Sequence, residues 1–495
     1  MGATPFSDKP LTDRLLRSWV RCRRRAWLDR HANPDQRLYT AHRTLQLDDQ
    51  QRSFVSLLPH KPEHGQLGCE HGAAGVVGLR LRGAAQYDSV LNGVALEAHP
   101  TLLQRVKGTS RWGDFSYRPV IARQGRRLTR EHRLQLALTG RLLAEFQAGP
   151  VSDGLAVAGS GRRLELERLP LGRSLNRQLD ESLQRLSGDL SRGGPPPLAA
   201  DRRKCMLCSW RGLCNTVASE EGHLSEVSGI GSKRREMLQD LGINSLQALA
   251  AANPQELAER LKRFGEQHAA MAVPIVDQAR VQRDGVVARI DAHPALQEVV
   301  HAPGVLLYDI ESDPDARDDF LHGFVRLPRN SINRWDLTRA TYHPILALQE
   351  HGEKQCWTRI QRFLATYPDW LILHYGETES LALLRMAKRQ GASAMEQKAL
   401  RERLIDVHAR LRAHWYLPLS SYGLKAVAGW RGFKWGQSGV DGARALLWWR
   451  QWRGDGIARR GSTQLLRWIL AYNRDDGLAT WAVAQWLLGG DQELA

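Results

Sequence analysis

Residues 304–313, GVLLYDIESD, run apolar and aromatic side chains directly into two carboxylates, Asp309 and Glu311, which flank a single isoleucine. Alternate side chains of a strand project to the same side, so this acidic pair shares one face at the end of a buried segment. A strand of this kind needs a sheet to pair with, and two carboxylates so placed can share a metal ion. An ordinary solvated strand end gives the same pattern, so more acids have to be found before chemistry is implied. Two further stretches supply them. WILAYNRDDGLATWAVAQWLL sets Tyr472 and Asp476 four residues apart on a helical pattern, where they share a face. PDWLILHYGETESLALLRMAKR gives an apolar strand, then His374 and Tyr375, then Glu379 at the start of a helix.

The chain around these stretches has 495 residues, more than one ordinary core accommodates. A Gly/Pro-rich stretch at 187–205 and the segment DGVVARIDAHPALQEVVHAPG divide it into residues 1–218, 219–285 and 300–490. The first mixes a basic helix, short alternating strands such as 92–98 and the helical REHRLQLALTGRLLAEFQAG. The second is almost wholly helical, and the third alternates apolar strands with amphipathic helices. The expected class is α/β. No apolar run approaches the ~20 residues that span a bilayer, and the first residues carry no secretory or transit signal, so a cytoplasmic protein without membrane contact is expected. A net charge of +17 and a pI near 10.0 favour a polyanionic partner, nucleic acid before membrane, and leave the chemistry open.

CMLCSWRGLC places Cys205, Cys208 and Cys214 at C-x2-C-x5-C, close enough for three thiolates to converge on one metal centre. Cys22, in VRCRRRAWLDRH, is the best fourth ligand, because Cys69 and Cys356 lie in segments without a partner motif. Buried thiols or a zinc knuckle are the alternatives. A lone cysteine after a first helix, with this motif at the far end of an intervening segment, resembles the iron–sulfur RecB-type nucleases. The resemblance implies a structural [4Fe-4S] cluster on Cys22, Cys205, Cys208 and Cys214. It also implies a restriction-endonuclease-like domain whose metal would be held by an aspartate on one strand and an acidic-x-Lys pair on the next. This chain departs from both. EAHPTLLQRV has Thr101 at the aspartate position, and FSYRPVIARQG ends in Ile121, Ala122 and Arg123. Gln135 of the following helix matches, whereas the tyrosine four residues later is Thr139. Glu97, His99 and Asp114 are the candidates for a substitute site. The expectation is a degenerate RecB-like domain without catalysis that binds nucleic acid.

LSEVSGIGSKRREMLQDLGINSLQALAAA fits a helix-hairpin-helix, with Val227 and Ile230 bracketing a Gly-Ile-Gly turn and Met237, Leu238 and Leu241 at helical spacing. Gly229 and Gly231 can bring bare backbone amides to a phosphate, with Lys233, Arg234 and Arg235 adding charge. A helical linker with a tight glycine turn is the plainer alternative.

In order along the chain, D-x-E, an acid after a strand and loop, and Y-x3-D resemble the DnaQ-like 3′ to 5′ exonucleases of the RNase H-like fold, tyrosine subtype. The closer resemblance is to YprB-type RNase H-like domains, which carry His-Tyr-Gly before a glutamate and a later stretch like SYGLK, Ser421 to Lys425 here. With the preceding segments, nearly the whole chain resembles bacterial RecB-like nucleases fused to such a domain, a mixed sheet flanked by helices. The resemblance implies Mg²⁺ or Mn²⁺ clamped by Asp309, Glu311, Glu379 and Asp476, with Tyr472 orienting the attacking water and Lys425 contacting nucleic acid. Asp406 is the alternative to Glu379, with a helix N-terminus as its plainer reading, and Asp475 is either a neighbour of the ligand or, with one residue of slippage, the ligand in place of Asp476. In GWRGFKWGQ, Trp430, Arg431, Lys434 and Trp435 either stack unpaired bases or belong to the core. The expected function is a metal-dependent nuclease, of 3′ to 5′ exonuclease type, acting on DNA or RNA; the rival is a non-catalytic nucleic-acid-binding module.

Overall fold

Thr12 caps helix α1, Asp13–Arg21, by accepting from the Leu15 N–H at 3.0 Å, and Cys22 ends it with an extended backbone from which α2, Arg23–His31, starts afresh. A computed structural model describes residues 9–38, 40–83, 94–123, 127–160, 163–199, 202–313, 318–348, 351–453 and 462–489. These fall into two units, Met1–Thr216 and Val217–Ala495.

The first unit is built on a six-stranded mixed sheet in the order Glu63–His64, Gly75–Val77, Leu102–Ser110, Gly113–Ala122, Asp153–Ser160, Arg163–Pro170. Strands Gly113–Ala122 and Asp153–Ser160 run parallel, which requires a crossover, and helix α4, Arg130–Phe146, provides it. Its Leu134, Leu138 and Leu142 are fully buried in one cluster with Leu16 of α1, Leu103 and Tyr117. Helix α3, Ala41–Leu57, lies between α2 and the sheet strands in sequence. The alternating strand expected at 92–98 is Leu96–Ala98, paired with Leu11–Thr12 and Leu81–Arg82, and residues 92 and 93 lie outside the described residues.

The second unit opens with short helices around Leu224, Val227, Ile230, Leu238, Leu249 and Ile275. The last of them, Ala272–Asp284, is fastened to the 417–422 loop: Gln278 donates to the Leu417 carbonyl at 2.9 Å and accepts from the Tyr422 hydroxyl at 2.7 Å. A five-stranded mixed sheet comes next, with β1 Gly304–Asp313, β2 Asp318–Pro328, β3 Thr341–Leu346, β4 Leu371–His374 and β5 Leu404–Asp406 in the order β3-β2-β1-β4-β5. Strands β1 to β3 are antiparallel neighbours, whereas β4 and β5 run parallel to β1.

Side-chain alternation in β1 sorts two cores. Val305 and Leu307 pack with Ala479, Val483 and Ala484 of the long helix Thr463–Gly489, here α6, while Leu306 and Tyr308 pack with Trp357, Ile360, Leu383 and Met386 on the other side. Each such apolar side chain stabilises the sheet by about 1.5–3 kcal/mol. Odd-numbered positions of β1 therefore face α6, and Asp309 and Glu311 continue that row. Among the described residues no helix is long and apolar enough to cross a membrane.

Candidate active site

Helix α6 brings Asp476 against the row begun by Asp309 and Glu311, and one carboxylate oxygen from each of the three lies within 4.8 Å of the others. Glu311 is 5 % and Asp476 8 % exposed, so three like charges meet with little water between them. Burial pushes the Asp309 carboxyl well above its usual range, and the charges of Asp476, Glu311 and Glu379 push it further. Glu311 is raised the same way, by burial and then by Asp476, against the opposing charge of Lys425. Asp476 is raised by burial, less so because Trp435 and Tyr472 donate hydrogen bonds to it. A set of hard oxygen donors under mutual repulsion matches Mg²⁺ or Mn²⁺ in kind and gains most from a divalent cation.

The carboxylates are held in place by neighbours. Asn473, one turn before Asp476, donates from Nδ2 to Asp309 Oδ2 at 2.6 Å, and its Oδ1 accepts from the Tyr342 hydroxyl at 2.8 Å. Gly323 on β2 is the cross-strand partner of Asp309, and a Cβ there would lie 1.6 Å from Asn473 Oδ1. Trp435 donates its indole N–H to Asp476 Oδ1 at 2.6 Å. Lys425, in helix α5 Leu424–Trp430, donates to the Val440 carbonyl and places Nζ 4.9 Å from the Tyr472 ring centroid and 5.9 Å from that of Trp435. Tyr472 is buried, and burial followed by the charge of Asp476 drives its hydroxyl pKa far up, so it stays a neutral donor.

Glu379, in the first turn of helix Glu377–Arg389, is near this group without belonging to the 4.8 Å trio. Its Oε2 is buried with no hydrogen-bond partner, and burial, then the charges of Asp406 and Asp476, raises the carboxyl to about 7. Asp406 is occupied elsewhere: Oδ1 accepts from the Gly376 N–H at 3.0 Å and the Ala409 N–H at 3.1 Å, which caps the following helix and pins the His-Tyr-Gly turn. His374, buried, bonds through Nδ1 to the Gly376 carbonyl at 2.6 Å. Asp475 turns away from the trio, accepting from the Gly436 N–H at 2.9 Å and from Arg474. Trp430, half-buried, packs edge-on against Trp486 at the edge of the core, the second of its two readings; Trp435 is the member of that stretch that reaches the acids. Sequence reasoning misses Asn473, Tyr342 and Gly323; the signal for them is a lone glycine inside the strand pattern DDFLHGFVRLP, a mark of close approach.

In the helical segment, Gly229 has φ +84° and Gly231 caps helix Ser232–Asp240; both are exposed, with open space where a side chain would stand. Lys233 is exposed. Arg234 donates back to the Gly229 carbonyl at 2.8 Å, and Arg235, at 2 % exposure, is inside the helical core rather than presented to a ligand.

In the first unit the Thr101 hydroxyl donates to the Val120 carbonyl at 2.7 Å, Ile121 is buried, Ala122 packs beside Val157 and Leu102, and Arg123 pairs with Glu165 at 3.2 Å and Glu167 at 3.5 Å. Gln135 donates to Asp13 Oδ2 at 2.9 Å and the Thr139 hydroxyl donates to the Gln135 carbonyl. Glu97 is neutralised by Arg80 at 2.7 Å and Arg82 at 3.2 Å besides His99 at 3.1 Å, while Asp114 stands exposed at the start of its strand. Cys22, Cys205, Cys208 and Cys214 are neighbours: each of the other three charges acts on Cys205, whose thiol is raised first by burial. Among the described residues no three of these sulfurs lie within 4.8 Å of one another.

Residues 306–488 match a family model described as RNase_H superfamily, and residues 220–283 match one described as Domain of unknown function (DUF4332). No curated protein matches the chain. The C-terminal region is thus an RNase H-like domain, which suggests nuclease-type hydrolysis of a nucleic acid with Mg²⁺ or Mn²⁺ at the acidic site.

Proposed function

We propose that the chain is a metal-dependent nuclease of 3′ to 5′ exonuclease type, with hydrolysis in the C-terminal domain and the preceding segments gripping DNA or RNA. The observation that carries this reading is the meeting of Asp309, Glu311 and Asp476 within 4.8 Å. These three carboxylates would hold Mg²⁺ or Mn²⁺, with Glu379 the candidate fourth ligand. When bound, such ions polarise the scissile phosphate and stabilise the charge that develops on it. Asn473 and Trp435 fix the orientation of Asp309 and Asp476. Tyr472 keeps its proton and would orient the attacking water beside Asp476. Lys425 sets a positive charge beside Glu311 and Asp476, where it would meet a phosphate held at the acids. Glu379, raised to about 7, can hold or release a proton near neutral pH. The 3′ to 5′ polarity and the tyrosine's role rest on the resemblance to DnaQ-like and YprB-type domains.

The [4Fe-4S] reading on Cys22, Cys205, Cys208 and Cys214 rests on the resemblance to iron–sulfur RecB-type nucleases, with the mutual proximity of the four thiols consistent with a shared metal centre. Gly229, Gly231 and Lys233 support phosphate contact by a helix-hairpin-helix, since their backbone is open on the ligand side. Thr101, Ile121 and Arg123 leave the RecB-like domain without carboxylates at those positions, which supports a binding role for it. The non-catalytic rival is disfavoured by the intact carboxylate group in an RNase H-like domain.

The test is cleavage of 5′-labelled single-stranded DNA and RNA with Mg²⁺ or Mn²⁺. Asp309→Ala and Asp476→Ala should each lower the rate at least about 10²-fold. Metal-dependent cleavage that persists in both variants would exclude this site.

A further inference from the structure

Arg14, Arg17 and Arg21 fall at i, i+3 and i+7 on α1 and so share one face, which spans about 10 Å of helix. Arg25 of α2 and Arg43 of α3 join them: Arg43 feels the charges of Arg25, Arg14 and Arg21, and Arg17 those of Arg21, Arg43 and Arg25. Five guanidiniums therefore crowd together on three helices.

The carboxylates facing them do not balance this charge. Glu131, at the start of α4, pairs with Arg21 and stands 3.7 Å from Arg17. Asp29 stands 3.8 Å from Arg25 but also holds Arg37 at 2.9 Å and the Trp210 indole at 2.8 Å. Arg14 and Arg43 make no side-chain hydrogen bond or ion pair among the described residues, and Arg17 Nε and Arg25 Nε are buried without a hydrogen-bond partner. The cost shows in Arg17, lowered to about 10 by burial and then by Arg21, and in the adjacent His132, lowered to about 4 by burial with Arg17, Arg21 and Arg123 contributing.

Such repulsion adds nothing to folding and is relieved by an anion. Guanidinium forks suit phosphate oxygens, and a face about 10 Å long covers successive phosphates rather than one. We propose that Arg14, Arg17, Arg21, Arg25 and Arg43 form a binding surface for the phosphodiester backbone of a nucleic acid strand. The inference rests on nucleic acid as the ligand and is independent of cleavage.

The test uses the full chain in EDTA with a fluorescein-labelled single-stranded oligonucleotide, its anisotropy followed over a range of salt concentrations. Arg14→Gln/Arg43→Gln removes the two guanidiniums that make no side-chain hydrogen bond or ion pair among the described residues. The slope of log K against log salt should fall by about 1.4, the loss of two phosphate contacts on a single strand, while the thermal midpoint stays within a few degrees. Arg14→Lys/Arg43→Lys should recover most of the slope, and Arg168→Gln, outside the cluster, should leave it unchanged. An unchanged slope in the folded glutamine double variant overturns the proposal. So does polyglutamate competing as well as a single-stranded oligonucleotide of equal charge. A chain that binds with the expected slope change and never cleaves supports this surface and removes the nuclease reading; one that cleaves with an unchanged slope does the reverse.

Discussion

Replacing Gly323 with alanine should loosen metal binding at a distance from any ligand. An alanine Cβ at this position would lie 1.6 Å from Asn473 Oδ1, 2.8 Å from its Cγ and 3.1 Å from Tyr342 Cε2. No side chain tolerates the first of these, so Asn473 must swing away. It would then surrender both the 2.6 Å bond to Asp309 and the 2.8 Å bond from Tyr342. Overpacking costs about 1–3 kcal/mol, and a hydrogen bond to a carboxylate contributes about 1.5–3 kcal/mol, so a net loss of about 2.5–6 kcal/mol in stability is expected. Freed from its outer partner, Asp309 should bind Mn²⁺ about 10–100-fold more weakly, read by calorimetric titration of the full chain. Asn473→Ala should weaken Mn²⁺ equally without the clash, and Gly323→Ala/Asn473→Ala should match it in affinity while being more stable than Gly323→Ala alone. Wild-type Mn²⁺ affinity in Gly323→Ala, or a double variant no more stable than that single one, would refute the reasoning.

Without metal, stability should depend on pH in a set direction. Glu379 has its folded pKa raised to about 7 from an unfolded value near ~4.3, so its contribution is fully present below the unfolded value and is lost as pH rises through the folded one. In EDTA the thermal midpoint should fall between about pH 5 and pH 8, less steeply in Glu379→Gln, and Mn²⁺ should restore it; a midpoint that holds level over this range contradicts the burial described. Trp435→Phe, which removes the donor to Asp476, should weaken Mn²⁺ about 10–100-fold with little change in fold, checked by the same titration. Anaerobically purified protein should contain iron and sulfide, and Cys22→Ser should lower both; stoichiometric zinc without iron would rule the cluster out.

The row Val305, Leu307, Asp309, Glu311 is legible in sequence because a strand has period two and apolar neighbours mark its buried face. Asp476 is legible for the same kind of reason, since Tyr472 lies one helical turn before it. What escapes is anything set by contact between elements distant in sequence. Nothing local distinguishes Asn473 from the residues around it; its role exists only because Gly323, on another strand, leaves room for it. Trp430 and Trp435 look alike in GWRGFKWGQ, yet one packs on Trp486 and the other on Asp476, a difference made by the path of the loop after α5. Arg235 and Lys233 are separated by a single residue, and helical phase alone buries the first and exposes the second.

Tyr422 is a junction. Its hydroxyl ties Gln278 of the short-helix segment to the Leu417 amide, and its carbonyl receives the Tyr375 hydroxyl from the turn that leads to Glu379. Lys425 lies within one helical turn of it. A swivel of the short helices would therefore be felt at once in the turn before Glu379 and in the segment that carries Lys425.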